Sequence, residues 1–425
     1  MLAGLAKADI TPSSTVNLTG YLARMGPSEG VHDPIFTRAL VLGDGQQQAA
    51  LIECDTLGFG LEYTRQAKQA IAAATGIPAA NIMLAATHTH SAPASVFLQD
   101  CGDLELDWLA SLPDRMAQAV RAAQANMAEV QASAGSITVP GIALNRRDPA
   151  GPVDHELRLV TLNRPTGEPH ALLLSYACHA VVLTPENRLI SADYPGVACA
   201  RAEALAGAPA MFLQAPCGDI NPTNHGAGFP GVAWAGEQLA QAAASLISAG
   251  RTEPVPASGL DVIHCTITLP LAPLPSYESL VAIRDEQAAV AQAAQAQARL
   301  VEAKAARAMA AWAQRILSLY CTGIVCDEVH AEVQAIRIGD LALIGVPGEL
   351  FVQFGIDAAK RARELGKQAI VVAYCDGDIG YIPTAPSYEK GGYEVTSAYR
   401  YYGYPAPVSP KAAEIVASAI EQCLR

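Results

Sequence analysis

Two histidines separated by a single threonine lie in the stretch Ala85-Ala-Thr-His-Thr-His-Ser-Ala-Pro93. The apolar run Ile82–Leu84 precedes them, which predicts a buried strand that ends in a loop. On an extended backbone His88 and His90 would point to the same face. Two adjacent imidazoles can bind a metal ion or transfer protons. The alternative is that one imidazole packs in the core and the other hydrogen-bonds to a carbonyl group.

Polar residues also follow two further predicted strands. His179 comes directly after the apolar run Ala171–Cys178. Asp219 follows the short run Ala210–Gln214, in a loop rich in Gly and Pro. Ligands of α/β sheets gather outside the carboxyl ends of the strands. We therefore expect these side chains to converge with His88 on one site.

Glu349 is the best carboxylate to join His88 and His179, because a catalytic zinc ion needs three or four protein ligands and an open position for water. It lies in the turn Val346-Pro-Gly-Glu349, between an apolar strand and a predicted helix. A set of two histidines and one glutamate would result. Alternatively, Glu349 is a carboxylate in the first turn of that helix, where the helix dipole favours it.

Strands and helices alternate along most of the 425 residues. This indicates an α/β fold: a large single catalytic domain, residues 1–425, with mixed sheets flanked by helices. Pro113 is expected to break the helix predicted over Leu104–Ala128. The segments 141–149 and 215–222 are expected to be loops.

Residues 275–320 interrupt this alternation. Ala, Gln, Glu and Arg dominate Glu286–Ala313, which predicts a long helix or a helical hairpin inserted in the domain. Three interpretations remain open: a solvated and lightly packed appendage, a lid over the site, or a contact in a homo-oligomer.

The composition excludes several classes of protein. A net charge of -13 and a pI near 5.1 argue against a nucleic-acid partner or an anionic membrane surface. No apolar run is long enough to span a bilayer, so no stable membrane anchor is expected. The N terminus lacks the features of a secretory signal, and the ten cysteines form no Cys-x-x-Cys motif. We therefore expect a cytoplasmic location with reduced thiols; Cys321 and Cys326 are weak support for a zinc pair.

The stretch around His88 resembles the Thr-His-Thr-His-Ser-Gly-Pro motif of the neutral/alkaline ceramidases. Further stretches resemble motifs of that family in the same order: Gly4–Pro12, Asn145-Arg146, Cys178–Ala180, Leu189–Gly196, Cys217–Pro222, Val346–Glu349, Gly380–Thr384, Tyr388 and Tyr393-Glu394. The resemblance covers nearly the whole chain except residues 275–320.

The resemblance implies a zinc ion held, together with water, by four residues: His88, His179, Glu349 and Tyr381. It also implies roles near a small-molecule substrate for His90 and Arg146. His90 would shuttle a proton or hydrogen-bond to the substrate, and Arg146 would anchor a polar or anionic group through its planar fork. Tyr381 could also donate to the oxyanion. Asp193 and Asp219 are candidates for orienting the histidines, or else for capping turns, and Asp219 is also expected to bind the substrate.

Asn221 departs from the family pattern, which has a serine, proposed there as a nucleophile, in its Gly-Asp-Val-Ser-Pro motif. Asparagine cannot act in that way, so Asn221 is expected to line the substrate site and hydrolysis to use zinc-bound water, whose pKa the metal lowers. Family members that act on ceramide carry an additional C-terminal β-domain. We therefore expect a zinc-dependent hydrolase of C–N bonds acting on a soluble amide. The alternatives are a zinc hydrolase of an ester, lactone or sugar-derived molecule, and a non-catalytic protein that binds a metal or ligand.

Overall fold

The computed structural model describes residues 1–256 and 259–425. In chain order the strands are β1 (Leu2–Asp9), β2 (Gly30–Val31), β3 (Phe36–Gly43), β4 (Gln48–Cys54), β5 (Ile82–Ala86), β6 (Ala128–Glu129), β7 (Gln131–Thr138), β8 (Ala143–Asn145), β9 (Glu156–Asn163), β10 (Pro169–Tyr176), β11 (Leu189–Ile190), β12 (Ala210–Gln214), β13 (Ile220–Pro222), β14 (Glu253–Pro254), β15 (Leu260–Pro270), β16 (Glu328–Ile338), β17 (Leu341–Gly345), β18 (Glu349–Leu350), β19 (Gln368–Val372) and β20 (Tyr381–Ile382).

The helices alternate with these strands, and the predicted α/β class is confirmed. They are α1 (Leu61–Thr75), α2 (Leu106–Ala125), α3 (Asp193–Ala206), α4 (Gly228–Ser248), α5 (Tyr277–Ala296), α6 (Leu300–Thr322), α7 (Val352–Glu364), α8 (Ala385–Lys390), α9 (Tyr393–Thr396), α10 (Ala398–Tyr401) and α11 (Lys411–Leu424). Among the described residues, no helix combines the length and the hydropathy needed to cross a lipid bilayer.

Three mixed sheets form the framework of the fold. Their strand orders are β5-β4-β3-β1-β6, β12-β10-β9-β7-β14 and β15-β16-β17-β19. Each contains one parallel pair among antiparallel strands: β4 with β5, β10 with β12, and β17 with β19. Two of these parallel pairs contain the strands whose ends lead to the histidines, β5 and β10.

One buried cluster draws side chains from all three sheets, including Leu51, Leu173 and Leu343. The other faces of the sheets pack against helices: α1 and α2 cover the first sheet, α3 and α4 the second, and α7 and α11 the third. Strands buried on both faces are apolar throughout, which explains the continuous apolar runs of β5 and β12 in the sequence.

Two local predictions were wrong. Pro113 lies inside α2 without ending it, because Leu112 and Met116 on either side are buried in the core and stabilise the helix across the missing N–H group. The predicted loops at 141–149 and 215–222 contain β8 and β13, which pair antiparallel with each other. Three-residue strands are too short to show a hydrophobic period.

The segment predicted as a long helix or a helical hairpin is a hairpin, α5 followed by α6. Ser276 caps α5 by accepting a hydrogen bond from Ser279 N. The chain reverses at Ala298, which adopts a left-handed conformation with φ of 57°. A small separate cluster holds the two helices together, formed by Leu280, Trp312, Ala313, Ile316 and Leu317.

Candidate metal centre and active site

His88 and His90 lie next to each other, as expected, with ring centroids 4.9 Å apart. The predicted reason, an extended backbone that points both side chains to the same face, was wrong. β5 ends at Ala86, and His88 has φ of 63°, so the backbone is turned rather than extended at this point. The His88 ring stacks on Tyr374 at 3.8 Å, which supports this turned conformation by burying one face of the imidazole.

His179 approaches the same point from the end of β10. Its ring centroid lies 5.1 Å from that of His88 and 6.0 Å from that of His90. One potential ligand atom from each of the three histidines lies within 4.8 Å of the others. The convergence predicted from the strand ends is therefore present for the histidines, and it includes His90 as a third potential ligand.

Backbone carbonyl groups determine the tautomer of all three imidazoles. Each Nδ1 contacts a carbonyl oxygen: His88 that of Leu57 at 2.6 Å, His90 that of Gly20 at 3.1 Å, and His179 that of Cys217 at 2.6 Å. A carbonyl oxygen only accepts hydrogen bonds, so each Nδ1 carries the proton and each Nε2 offers a lone pair. Histidines that bind metals are commonly oriented in this way.

Glu349 faces these lone pairs. Its Oε2 lies 3.0 Å from His179 Nε2 and 3.4 Å from His88 Nε2. Burial opposes the charge of Glu349, but its contacts with His179 and His88 outweigh burial and hold its pKa well below the usual value. The side chain is therefore ionised. It lies in β18, before α7 begins, so it is not a carboxylate of the first helical turn.

A cation fits between these groups. With the Nδ1 proton of His179 committed to a carbonyl, the contact of its Nε2 with Glu349 requires either a second proton or a metal ion. Burial, and then the charge of Arg146, lower the pKa of His179, which disfavours the second proton. The Nε2 atoms of His88 and His90 are buried and have no hydrogen-bond partner among the described residues. Imidazole nitrogens with one carboxylate are a donor set that suits zinc.

Tyr381 is placed beside Glu349 by strand pairing. β18 and β20 are parallel and Glu349 is the partner of Tyr381 in their register. The two backbones approach closely at Gly348, where a Cβ atom would lie 2.6 Å from the Gly380 oxygen. This register explains why two residues more than thirty positions apart share one site.

Arg146 connects the other predicted site residues. Its Nη2 donates to Tyr381 Oη at 3.0 Å and to Gly218 O at 2.7 Å, its Nη1 to Asn221 Oδ1 at 3.3 Å, and its Nε to Glu394 at 3.0 Å. Most of the guanidinium fork is therefore engaged by the protein itself. A substrate contact of Arg146 remains a prediction, and its observed contacts hold Tyr381 and Asn221 in position.

Asp193 and Asp219 do not contact the histidines. Asp219 accepts hydrogen bonds from Val352 N at 2.8 Å and Asn145 Nδ2 at 3.1 Å, and so caps the start of α7. Asp193 accepts from the backbone N–H groups of Tyr194 and Leu183. Both carboxylates thus accept from backbone N–H groups rather than from the imidazoles.

A cavity of about 370 Å³ opens onto these groups. Its lining includes six residues with predicted roles: His88, His90, Arg146, Asn221, Glu349 and Tyr381. Asp219 lies outside it, in a larger groove of about 1340 Å³ that none of the three histidines lines. Sequence reasoning missed Tyr21, Tyr401, Tyr402 and His225, which also line the cavity. Tyr402 donates a hydrogen bond to Glu349 Oε1; the only signal for it was the abundance of tyrosine in residues 375–407.

Comparisons with known proteins identify the family of this chain. The sequence model of the family described as neutral/alkaline non-lysosomal ceramidase, N-terminal, matches residues 1–259. The neutral ceramidase of Drosophila melanogaster is 27% identical over 219 residues, which cover 46% of this chain and 31% of the relative. That of Pseudomonas aeruginosa is 27% identical over 245 residues, which cover 52% and 36%. The matched region thus spans about a third of the length of these relatives.

The fold is shared with a solved relative. The crystal structure of neutral ceramidase from Pseudomonas aeruginosa superposes with a TM-score of 0.75 at 19% identity, covering 100% of this chain and 74% of that one. A second structure, a ceramidase complexed with C2, gives a TM-score of 0.76 at 18% identity. At this level of identity the likeness establishes the fold.

Proposed function

This chain belongs to the neutral/alkaline non-lysosomal ceramidase family, and from that premise we propose that it is a zinc-dependent hydrolase that cleaves the C–N bond of a soluble amide. The observation that carries the proposal is the convergence of three imidazole lone pairs and the ionised carboxylate of Glu349 at one end of a cavity. His88, His179 and Glu349 would hold the ion, with Tyr381 as the fourth ligand that the family resemblance implies.

The chemistry that a bound zinc ion supplies is activation of a water molecule as nucleophile and polarisation of the scissile carbonyl. His90 moves the proton. Its Nδ1–H group is fixed on Gly20 O, so its Nε2 is free to accept a proton and return it to the leaving nitrogen. Burial, and then the neighbouring His88 and His179, lower the pKa of His90 well below its usual value, so the ring is neutral.

Tyr381 would have a second role in this proposal, as a donor to the oxyanion when it is detached from the ion. Because its oxygen accepts a hydrogen bond from Arg146, its own hydroxyl proton is free to point at a substrate carbonyl. Glu394 and Asn221 hold Arg146 in the orientation that makes this contact. A compact amide suits the cavity of about 370 Å³, which lies near the lower limit of small-molecule sites.

A second candidate is a zinc hydrolase of an ester, a lactone or a sugar-derived molecule. Asn221 supports it, because the residue that stands in place of the family's serine lines the cavity and touches Arg146. The same imidazoles and Glu349 would serve, since only the leaving group differs.

We also propose a cytoplasmic location and a small-molecule substrate. Within the described residues all ten cysteines are free thiols, eight of them buried, which suits a reducing compartment. The net charge of -13 does not favour a polyanionic partner.

Metal analysis combined with substitution tests the function. His88→Ala and Glu349→Ala are expected to lose both the bound zinc and the hydrolysis of a panel of N-acyl amides, esters and lactones. His330→Ala is the matched control, because His330 is an exposed histidine that pairs with Glu328 and does not line the cavity. Full activity of metal-free protein would contradict the proposal. Bound zinc without turnover of any substrate would favour a binding protein.

A further inference from the structure

Helix α6 contacts each of three segments that border the cavity, residues 21–24, 97–101 and 398–404. Its contacts are Lys304 Nζ donating to Arg24 O at 3.0 Å, the Arg315 guanidinium over the Phe97 ring at 4.6 Å, and Trp312 Nε1 donating to Tyr404 O at 2.8 Å. One face of a single helix thus reaches all three segments.

These segments supply a large part of the cavity wall. They provide seven lining residues: Tyr21, Leu22, Ala23, Leu98, Cys101, Tyr401 and Tyr402. Two of the segments are also joined to each other, because Gln99 N donates to Tyr401 O at 2.7 Å. The third segment reaches the candidate metal centre, since Tyr402 donates to Glu349 Oε1. Any displacement of α6 would therefore move the substrate side of the cavity.

The hairpin commits its largest apolar side chain to this contact. Trp312 is 1% exposed, meets Tyr399 edge to face at 5.9 Å, and carries the Arg400 guanidinium over its ring at 4.8 Å. Aromatic and cation–π contacts of this kind hold side chains in defined orientations. A solvated appendage would not pack its only tryptophan against the segment that precedes Tyr402.

We propose that the α5–α6 hairpin is a specificity element of the cavity, in which Lys304, Trp312 and Arg315 are positioning residues. The helix holds Tyr401 and Tyr402, here called the tyrosine wall, against the cavity. Only compact acyl groups then reach the imidazoles, and long acyl chains are rejected. The preference for acyl length rests on the proposed amide hydrolysis, whereas the closure of the wall does not.

The closure of the wall is tested with Cys101, which lines the cavity and is 5% exposed. In the double variant Lys304→Met/Arg315→Ala, the rate of iodoacetamide alkylation at Cys101, followed peptide by peptide, is expected to rise by about two- to fivefold or more, as for loss of exposed cation–π contacts. Arg307→Ala is the matched control: Arg307 is an exposed arginine of α6 that contacts Gln295 of α5. The exposed Cys321 and Cys326 report the reagent concentration.

The specificity is tested with two N-acyl amides that differ only in acyl length. In the double variant kcat/KM for the long-chain amide is expected to rise relative to that for the N-acetyl amide, through KM, while the zinc content is unchanged. Equal Cys101 alkylation in wild type and double variant would overturn the proposal, as would an unchanged kcat/KM ratio. If no amide is cleaved, the proposed amide hydrolysis is contradicted. The alkylation rate of Cys101 still tests whether α6 keeps the cavity wall closed. Both substituted residues lie outside the buried cluster around Trp312. If the double variant unfolds at a lower temperature than the wild type, each single variant is used to repeat the test.

Discussion

The cavity has a histidine side, formed by His88, His90 and the adjoining His179, and a tyrosine side, formed by Tyr381, Tyr401 and Tyr402. Different kinds of contact hold the two sides. On the histidine side backbone carbonyls fix every imidazole, and His88 and His179 are 1% exposed. On the tyrosine side, side chains hold one another, as Arg146 holds Tyr381 and Tyr402 holds Glu349. Substitution cannot remove a backbone carbonyl. The three histidines should therefore tolerate changes around them, whereas Glu349 and Tyr381 can be altered one hydrogen bond at a time.

Among the substitutions that test this difference between the two sides, Arg146→Lys is expected to have the largest effect on kcat. An ammonium group cannot donate to Tyr381, Glu394 and Gly218 from one plane, so the tyrosine loses its orientation. We expect kcat to fall by about 10²–10³, as for removal of one oxyanion donor. The zinc content should be retained, because His88, His179 and Glu349 remain as ligands. Steady-state kinetics and metal analysis measure the two quantities on the same sample.

Arg158→Lys is the control for that substitution. Arg158 also binds a carboxylate, that of Asp154 at 2.8 Å, but does not line the cavity. Its kinetics should match those of the wild type. Loss of zinc from Arg146→Lys would show that the two sides of the cavity are not independent and would contradict the comparison.

Tyr402→Phe removes a single hydroxyl group at the point where the two sides meet. Glu349 Oε1 then loses its donor while Oε2 still faces the histidines. We expect zinc affinity to fall by about 10–100-fold, the range for loss of a hydrogen bond to a metal ligand. Competition with a chelating dye measures it. Tyr63→Phe, which removes a hydroxyl bound to Leu109 O, should leave the affinity unchanged; equal affinities of both variants would separate Tyr402 from the metal centre.

The sequence predicted the side chains of the site better than the contacts that orient them. His88, His179 and Glu349 were found because each follows a buried apolar strand, and ligands gather outside the carboxyl ends of such strands. The three strands, β5, β10 and β17, belong to three different sheets. The carbonyl groups of Leu57 and Gly20 could not be found, because no residue type marks the direction of a carbonyl group. The left-handed backbone of His88 was also missed, because this conformation is uncommon in residues other than glycine.

The elements of the fold likewise divide into those that the sequence predicted and those that it did not. Long apolar or periodic runs such as β5, β12 and α4 were predicted closely, because burial on one or both faces determines their composition. β15 was not predicted, although its buried apolar residues Cys265, Ile267 and Leu269 alternate with exposed ones in the pattern of a half-buried strand. Tyr402 could not be selected among fourteen tyrosines, since only the tertiary contact with Glu349 distinguishes it.

Asp193 is a buried carboxyl group near His179, and it too is held by backbone N–H groups. The carboxylate accepts N–H bonds from Tyr194 and from Leu183, a few residues beyond His179. Burial raises its pKa to about 7, above the value near 3.9 of an unfolded chain. Between about pH 4 and pH 7 the folded protein therefore keeps a proton that the unfolded chain releases, and stability falls as pH rises through this window, by at most about 1.4 kcal/mol per unit.

Asp193→Asn removes this titration while keeping an oxygen that can accept from the same N–H groups. The difference in unfolding free energy between the variant and the wild type, measured by urea denaturation, is expected to shift in favour of the variant between pH 5 and pH 8. Asp148→Asn should show no such shift, because backbone N–H and Lys390 contacts lower the pKa of that exposed carboxylate, and it is ionised in both states throughout this range. A difference for Asp193→Asn that does not change with pH would mean that the backbone N–H groups alone compensate the buried charge. The histidine side would then be held even more completely by its main chain than the pKa of Asp193 indicates.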